Sequence, residues 1–157
     1  MAVVSAFDKL RKVHSAIIAE SGYIKEHSNR IGKNLGVIKK FVELFDNKIS
    51  SILELEEKAI FPYLEKHFDK DGPLFVMNYS HDVIREEFER LRNALSKKDM
   101  LCIQKSTERL AETLKFHIEK EDSIILQGAE KVMSKGQINN FSNMYSKLIR
   151  NGTFGTY

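Results

Sequence analysis

Between Leu110 and Ile125 the chain repeats apolar residues at helical spacing, and two ionisable residues fall on the same line. Leu110, Leu114, Ile118, Ile124 and Ile125 mark one face of an amphipathic helix. His117 and Glu121 stand four residues apart, one above the other on that helix. They share the line 110, 114, 117, 121, 124, which is otherwise the buried seam. A carboxylate in a core costs several kcal/mol unless it is paired or bound to a metal. A histidine and a carboxylate on one buried face offer a metal an imidazole nitrogen and an oxygen. On this stretch alone the alternative stays open: a small rotation would leave Glu121 at the solvent edge.

The rest of the chain reads as helices of the same kind. At 157 residues it suits a single domain, 1–157, with a sizeable core. A first short helix over about 4–20 carries Phe7, Leu10, His14, Ile17 and Ile18, and Ser21-Gly22 is its expected stop. A second helix, roughly 23–46, aligns Ile24, His27, Ile31, Leu35, Ile38, Val42 and Phe45, with Asp46-Asn47 as its stop. A third runs through Ile49, Leu53, Glu56, Ile60 and Leu64, with a kink expected at Pro62. Asp69 to Pro73 is the clearest loop. Met77, His81, Ile84, Phe88, Leu91 and Leu95 mark the fourth helix, and the fifth spans about 101–126. Gly128 and Gly136 set off a final short helix, about 136–150, before an end at 151–157 that is expected to fray. The fold class is all-α: an up-down-up-down four-helix bundle, core about 23–126, with short additional N- and C-terminal helices.

Charge and cysteine content narrow the function. A net charge of +3, with 25 Lys and Arg spread along the chain, argues against a nucleic-acid surface. No apolar run is long enough to span a bilayer, so no membrane partner is expected. The opening residues 1–8 are too short and too soon charged for a signal peptide, and the single Cys102 fits a reducing, cytoplasmic setting. Cys102 itself has no partner and no activating neighbour in sequence. Arg85 to Arg90 reads as a solvated, ion-paired helix face.

Each expected bundle helix carries an ionisable residue on its apolar stripe: His27, Glu56, His81, and the pair His117 and Glu121. Antiparallel packing puts His27 and His81, near helix starts, level with His117 and Glu121, near a helix end; Glu56 fits this band most loosely. Three imidazoles and two carboxylates in a dry centre form a ligand set for iron, manganese or zinc. Ferritin-like bundles use Glu-x-x-His, whereas here the histidine comes first and the offset is four, so that architecture is disfavoured.

Over about residues 23–126 the chain resembles the hemerythrin family, in particular its small HHE cation-binding domains. The likeness is carried by His27 to Ile31, by Glu56-Glu-Lys-Ala-Ile-Phe-Pro62, by His81 to Arg85, and by His117-Ile-Glu-Lys-Glu121. The resemblance implies a non-haem di-iron centre, two irons per chain, with His27 on one iron, His81 and His117 on the other, and Glu56 and Glu121 between them. One position departs from the family pattern. Where a histidine is expected four residues before Glu56, this chain has Ile52. Water, Glu57, Glu54 or His14 could fill the gap, or that iron binds weakly. His14 also reads as an ordinary core histidine.

The resemblance implies binding of dioxygen or a related small ligand, nitric oxide or peroxide, for sensing, storage or iron handling. Ile31, Ile52, Leu53, Ile84, Phe88, Leu114 and Ile118 would wall that site. Two other classes stay in view: a di-iron redox enzyme consuming peroxide or NO, and a helical scaffold whose metal site has degenerated. A monomer or a homodimer suits any of the three.

Overall fold

The computed structural model describes residues 5–28 and 31–150, and every described element is helical. Helix α1 spans Ala6–His27. Helix α2 covers 31–59 in three consecutive pieces: Ile31–Leu44, a wide turn at Phe45–Ile49, and Ser50–Ala59. After one further turn, Phe61–Leu64, comes α3, Pro73–Lys97. Helix α4 covers 100–132, with a second wide turn, Glu121–Ile125, between Met100–Lys120 and Leu126–Val132. The last helix, α5, is Lys135–Arg150. Helices α1 to α4 form the all-α bundle that the hydrophobic pattern predicts. Each packs on its chain neighbour, α1 also closes against α4, and α5 lies outside against α1 and the second half of α2.

The bundle's first helix differs from the one expected. Helix α1 does not stop at Ser21-Gly22; the short N-terminal helix and the start of the second are one rod. Ser21 is buried on the same stripe as Leu10, Val13, His14, Ile17 and Ile24, and its hydroxyl donates back to the Ile18 carbonyl at 3.0 Å. A glycine inside a helix costs about 1 kcal/mol relative to alanine. Burying Ile24 returns about 1.5–3 kcal/mol, so the helix continues. It ends where Ser28 turns its own hydroxyl onto the Lys25 carbonyl, 2.7 Å away.

Helix α2 likewise passes through its expected stop. Asp46 and Asn47 lie on the exposed side of a turn in which the Ser50 N–H reaches back to the Phe45 carbonyl. Both ends of that turn, Phe45 and Ile49, are buried, and Phe45 stacks on Phe88 of α3 with ring centres 3.9 Å apart. Arg92 grips Asp46 from α3 with two bonds of 2.7 and 2.9 Å. The helix does break ahead of Pro62, at Ile60, whose backbone leaves the helical region. Gly72 and Pro73 start α3, as the loop signal predicts. Between α3 and α4 the chain turns on Lys98 alone, at φ 54°, and Asp99 caps α4 by accepting from the Cys102 N–H. A reciprocal pair, Ser134 with Gln137, starts α5, and Phe141 then stacks on Phe7 at 5.0 Å.

Within the run 85–90 the structure is less solvated than the charge pattern predicts: Glu87 is buried, and Arg85 turns inward to Glu57. No described helix is long and apolar enough to cross a membrane. The frayed end expected at 151–157, residues 29–30 of the His27 motif, and the side chain of Ile31 as a wall of the site lie outside the described residues.

Candidate metal centre

The antiparallel path brings one end of four helices together: the first half of α1, the end of α2, the start of α3 and the part of α4 that runs into its wide turn. From these project His14, Glu56, His81, His117 and Glu121, each no more than 1% exposed.

Glu56 lies at the middle. Its Oε1 is 3.0 Å from His14 Nε2, and its Oε2 is 3.0 Å from His81 Nε2 and 3.8 Å from His117 Nε2. Glu121 Oε2 sits 3.3 Å from His117 Nε2 and 3.7 Å from His14 Nε2. The ligand atoms fall into two groups, each within 4.8 Å: Glu56, His81 and His117, and His14, Glu56 and Glu121. Glu56 belongs to both.

All three imidazoles turn Nε2 inward and hold Nδ1 on an outer partner. His14 Nδ1 bonds Asp122 Oδ1 at 2.7 Å, and His81 Nδ1 bonds Glu57 Oε1 at 2.7 Å. His117 Nδ1 lies 2.5 Å from Ser80 Oγ, whose hydroxyl donates to the Met77 carbonyl at 2.9 Å and so accepts from the ring. Carboxylate acceptors and an engaged hydroxyl keep a proton on each Nδ1, so Nε2 is the nitrogen that each ring offers to the centre once its own proton leaves. Local backbone geometry makes two of these contacts possible. Consecutive residues Glu56 and Glu57 address the two nitrogens of His81. Around the wide turn, consecutive Glu121 and Asp122 do the same for His14. Widened turns of this kind are frequent at functional sites.

The electrostatics ask for a cation. His81 Nε2 and His117 Nε2 face each other at 3.2 Å, where two lone pairs repel unless a proton or metal lies between them. Glu56 Oε2 and both oxygens of Glu121 are buried without any hydrogen bond. Each such atom costs about 1–3 kcal/mol if left so. Burial opposes charge on His14, yet Asp122, Glu56 and Glu121 outweigh it and hold its pKa up at about 10. His117 is likewise held at about 9 against burial, by Glu121 and Glu56, and His81 is raised against burial by Glu56 and Glu57. Burial and the neighbouring Glu56 push the Glu121 carboxyl up, while the imidazoles overcome burial to hold Glu56 well down. The cluster attracts positive charge strongly. The residues present fit a pair of divalent cations: inward imidazoles, a carboxylate common to both groups, and a second carboxylate with unspent oxygens.

Of the residues that the sequence points to, the structure brings together Glu56, His81, His117 and Glu121. It does not bring His27. Because α1 continues past Gly22, His27 stands at the far end of that helix, 13 residues and about 20 Å beyond His14. Its Nδ1–H donates to the Tyr23 carbonyl at 2.8 Å and its ring packs on Tyr23. His14 occupies the α1 position instead. The signal for it was the unbroken stripe through Ser21, which makes α1 a bundle helix. Ile52 is a fully packed core residue one turn before Glu56. Asp122, Glu57 and Ser80 contact the imidazoles from outside; of these, only Glu57 stood out in the sequence.

Compared with known proteins, residues 5–129 match the profile of the hemerythrin HHE cation binding domain, a span that covers the cluster and the four bundle helices except for the last three residues of α4. No curated protein and no solved structure matches the chain.

Proposed function

The chain belongs to the hemerythrin HHE cation-binding family, and from that premise we propose that its buried cluster holds two iron ions. In this reading it binds dioxygen, or a related small ligand such as nitric oxide or peroxide, for sensing, storage or iron handling. The observation that carries it is Glu56, which turns one carboxylate oxygen toward His14 and the other toward His81 and His117. His81 and His117 would serve one ion and His14 the other, with Glu56 common to both groups and Glu121 in the His14 group, its Oε2 also within 3.3 Å of His117 Nε2. Iron, when bound, supplies the redox change and the open position that a diatomic ligand requires.

The chain's own groups do the rest. Glu57, Asp122 and Ser80 lock the imidazoles with Nε2 forward. Ile52, Leu53, Ile84, Phe88, Leu114 and Ile118 are buried apolar residues of the same bundle and keep bulk water from its core. Ile52 also supports a second reading. A position served by a single imidazole leaves more of the metal open, which suits a redox enzyme consuming peroxide or NO.

Elemental analysis of protein purified without a metal-chelating tag, beside ferrous reconstitution under argon, tests the proposal. Near two irons per chain are expected, with charge-transfer absorption developing on exposure to O2, NO or peroxide. Folded helical protein that takes up no iron, or ferrous protein with no spectral response to any of the three, would sink it. Multiple turnovers of peroxide or NO with an added reductant would select the enzyme reading.

A further inference from the structure

The three outer partners of the imidazoles are not equivalent. Ser80, behind His117, is neutral. Glu57, behind His81, is a carboxylate whose charge is divided, because Arg85 holds it at 2.8 and 3.1 Å. Asp122, behind His14, forms no ion pair with any lysine or arginine among the described residues. No lysine or arginine among the described residues therefore competes with the ring for it.

That ring is the one that stands alone. The group of Glu56, His81 and His117 contains two imidazoles, whereas the group of His14, Glu56 and Glu121 contains one. Ile52, packed one turn before Glu56, offers nothing to bind. A carboxylate behind an imidazole fixes the ring's orientation and makes its free nitrogen a stronger donor. The strongest such support thus lies where the donor set is poorest.

We propose that Asp122 is a positioning residue which, through His14, makes the one-imidazole position strong enough to hold a metal. The wide turn at Glu121–Ile125 is the local device for this, since it presents Glu121 to the centre and Asp122 to the outer face of the same ring. The inference rests on the reading that the cluster holds two metal ions.

The test is stepwise titration with ferrous iron under argon, followed by calorimetry, on wild type, Asp122→Asn, Asp122→Glu and Glu57→Gln. Wild type is expected to show two events. Asp122→Asn keeps a hydrogen-bond acceptor but removes the charge; it should weaken the second event about 10- to 100-fold and leave the first unchanged. Asp122→Glu should recover part of the loss, and Glu57→Gln should weaken the first event instead. With cobalt(II) as probe, the visible bands added by the second equivalent should shift in Asp122→Asn while those of the first stay. The intact first event shows that the variant is folded, which separates a donor effect from structural damage. If Asp122→Asn binds both ions as wild type does, the inference is overturned and the two-metal reading survives. If wild type shows no second event, both are overturned.

Discussion

Glu56 and His27 differ in what their replacement should do, although both lie on an apolar stripe. Glu56→Gln keeps the shape of the side chain but removes the charge that faces His14 on one side and His81 on the other. Metal uptake should fail at both positions, because the residue belongs to both ligand groups. His27→Ala removes one ring bond to the Tyr23 carbonyl and its packing on Tyr23. Its cost should be about 0.5–1.5 kcal/mol of stability, with metal content unchanged. Elemental analysis and chemical denaturation of the two variants measure these effects together. A His27→Ala protein depleted of metal would show that the assignment of His14 to the centre is wrong.

Helix α1 carries the prediction that belongs to whole elements. Gly22 sits inside it, half-buried, at an ordinary negative φ and with nothing within 4 Å of where a Cβ would lie. Gly22→Ala should therefore stabilise the protein by about 0.4–1 kcal/mol, read as a higher denaturation midpoint at unchanged slope. A residue that ended the helix would give the opposite sign. This position also marks where the sequence could be read and where it could not. The seam through Leu114, His117, Ile118 and Glu121 was legible because helical periodicity is a direct consequence of burial. The loop at Asp69–Pro73, the break ahead of Pro62 and the bundle class were legible from local chemistry. The end of α1 was not, because Ser21-Gly22 has the composition of a stop while Ile24 supplies a tertiary reason to continue. The wide turns at Phe45–Ile49 and Glu121–Ile125 carry no composition of their own. They carry the contacts of Phe45 with Phe88 and of Asp122 with His14, which no local pattern announces.

For the molecule as a whole, the cluster ties one end of all four bundle helices to the state of a few protons. In the metal-free fold, His14 and His117 have pKa values raised from 6.5 to about 10 and about 9, against burial and by the carboxylates around them. Groups raised on folding contribute stability that is fully present below their unfolded pKa and is lost as pH climbs through the folded one. Glu121, raised by burial and by Glu56, acts with the same sign, starting above its ordinary 4.5. Glu56, which the imidazoles hold down against burial, and Glu57, which His81 first and then Arg85 hold at about 2, act oppositely: their contribution is lost as pH falls below the ordinary carboxylate range. Metal-free protein should accordingly lose stability between about pH 6.5 and pH 10. A metal reverses that slope, since it binds imidazoles free of their inner proton and releases protons as it enters. The rise in Tm on loading with ferrous iron under argon should thus be larger near pH 9 than near pH 6, and iron uptake in weak buffer should acidify the solution. Thermal unfolding of loaded and metal-free protein at the two pH values measures the difference. An increment that is equal at both, or larger in acid, would mean that the bound ion does not occupy the place of these protons and that the buried cluster is not the metal centre.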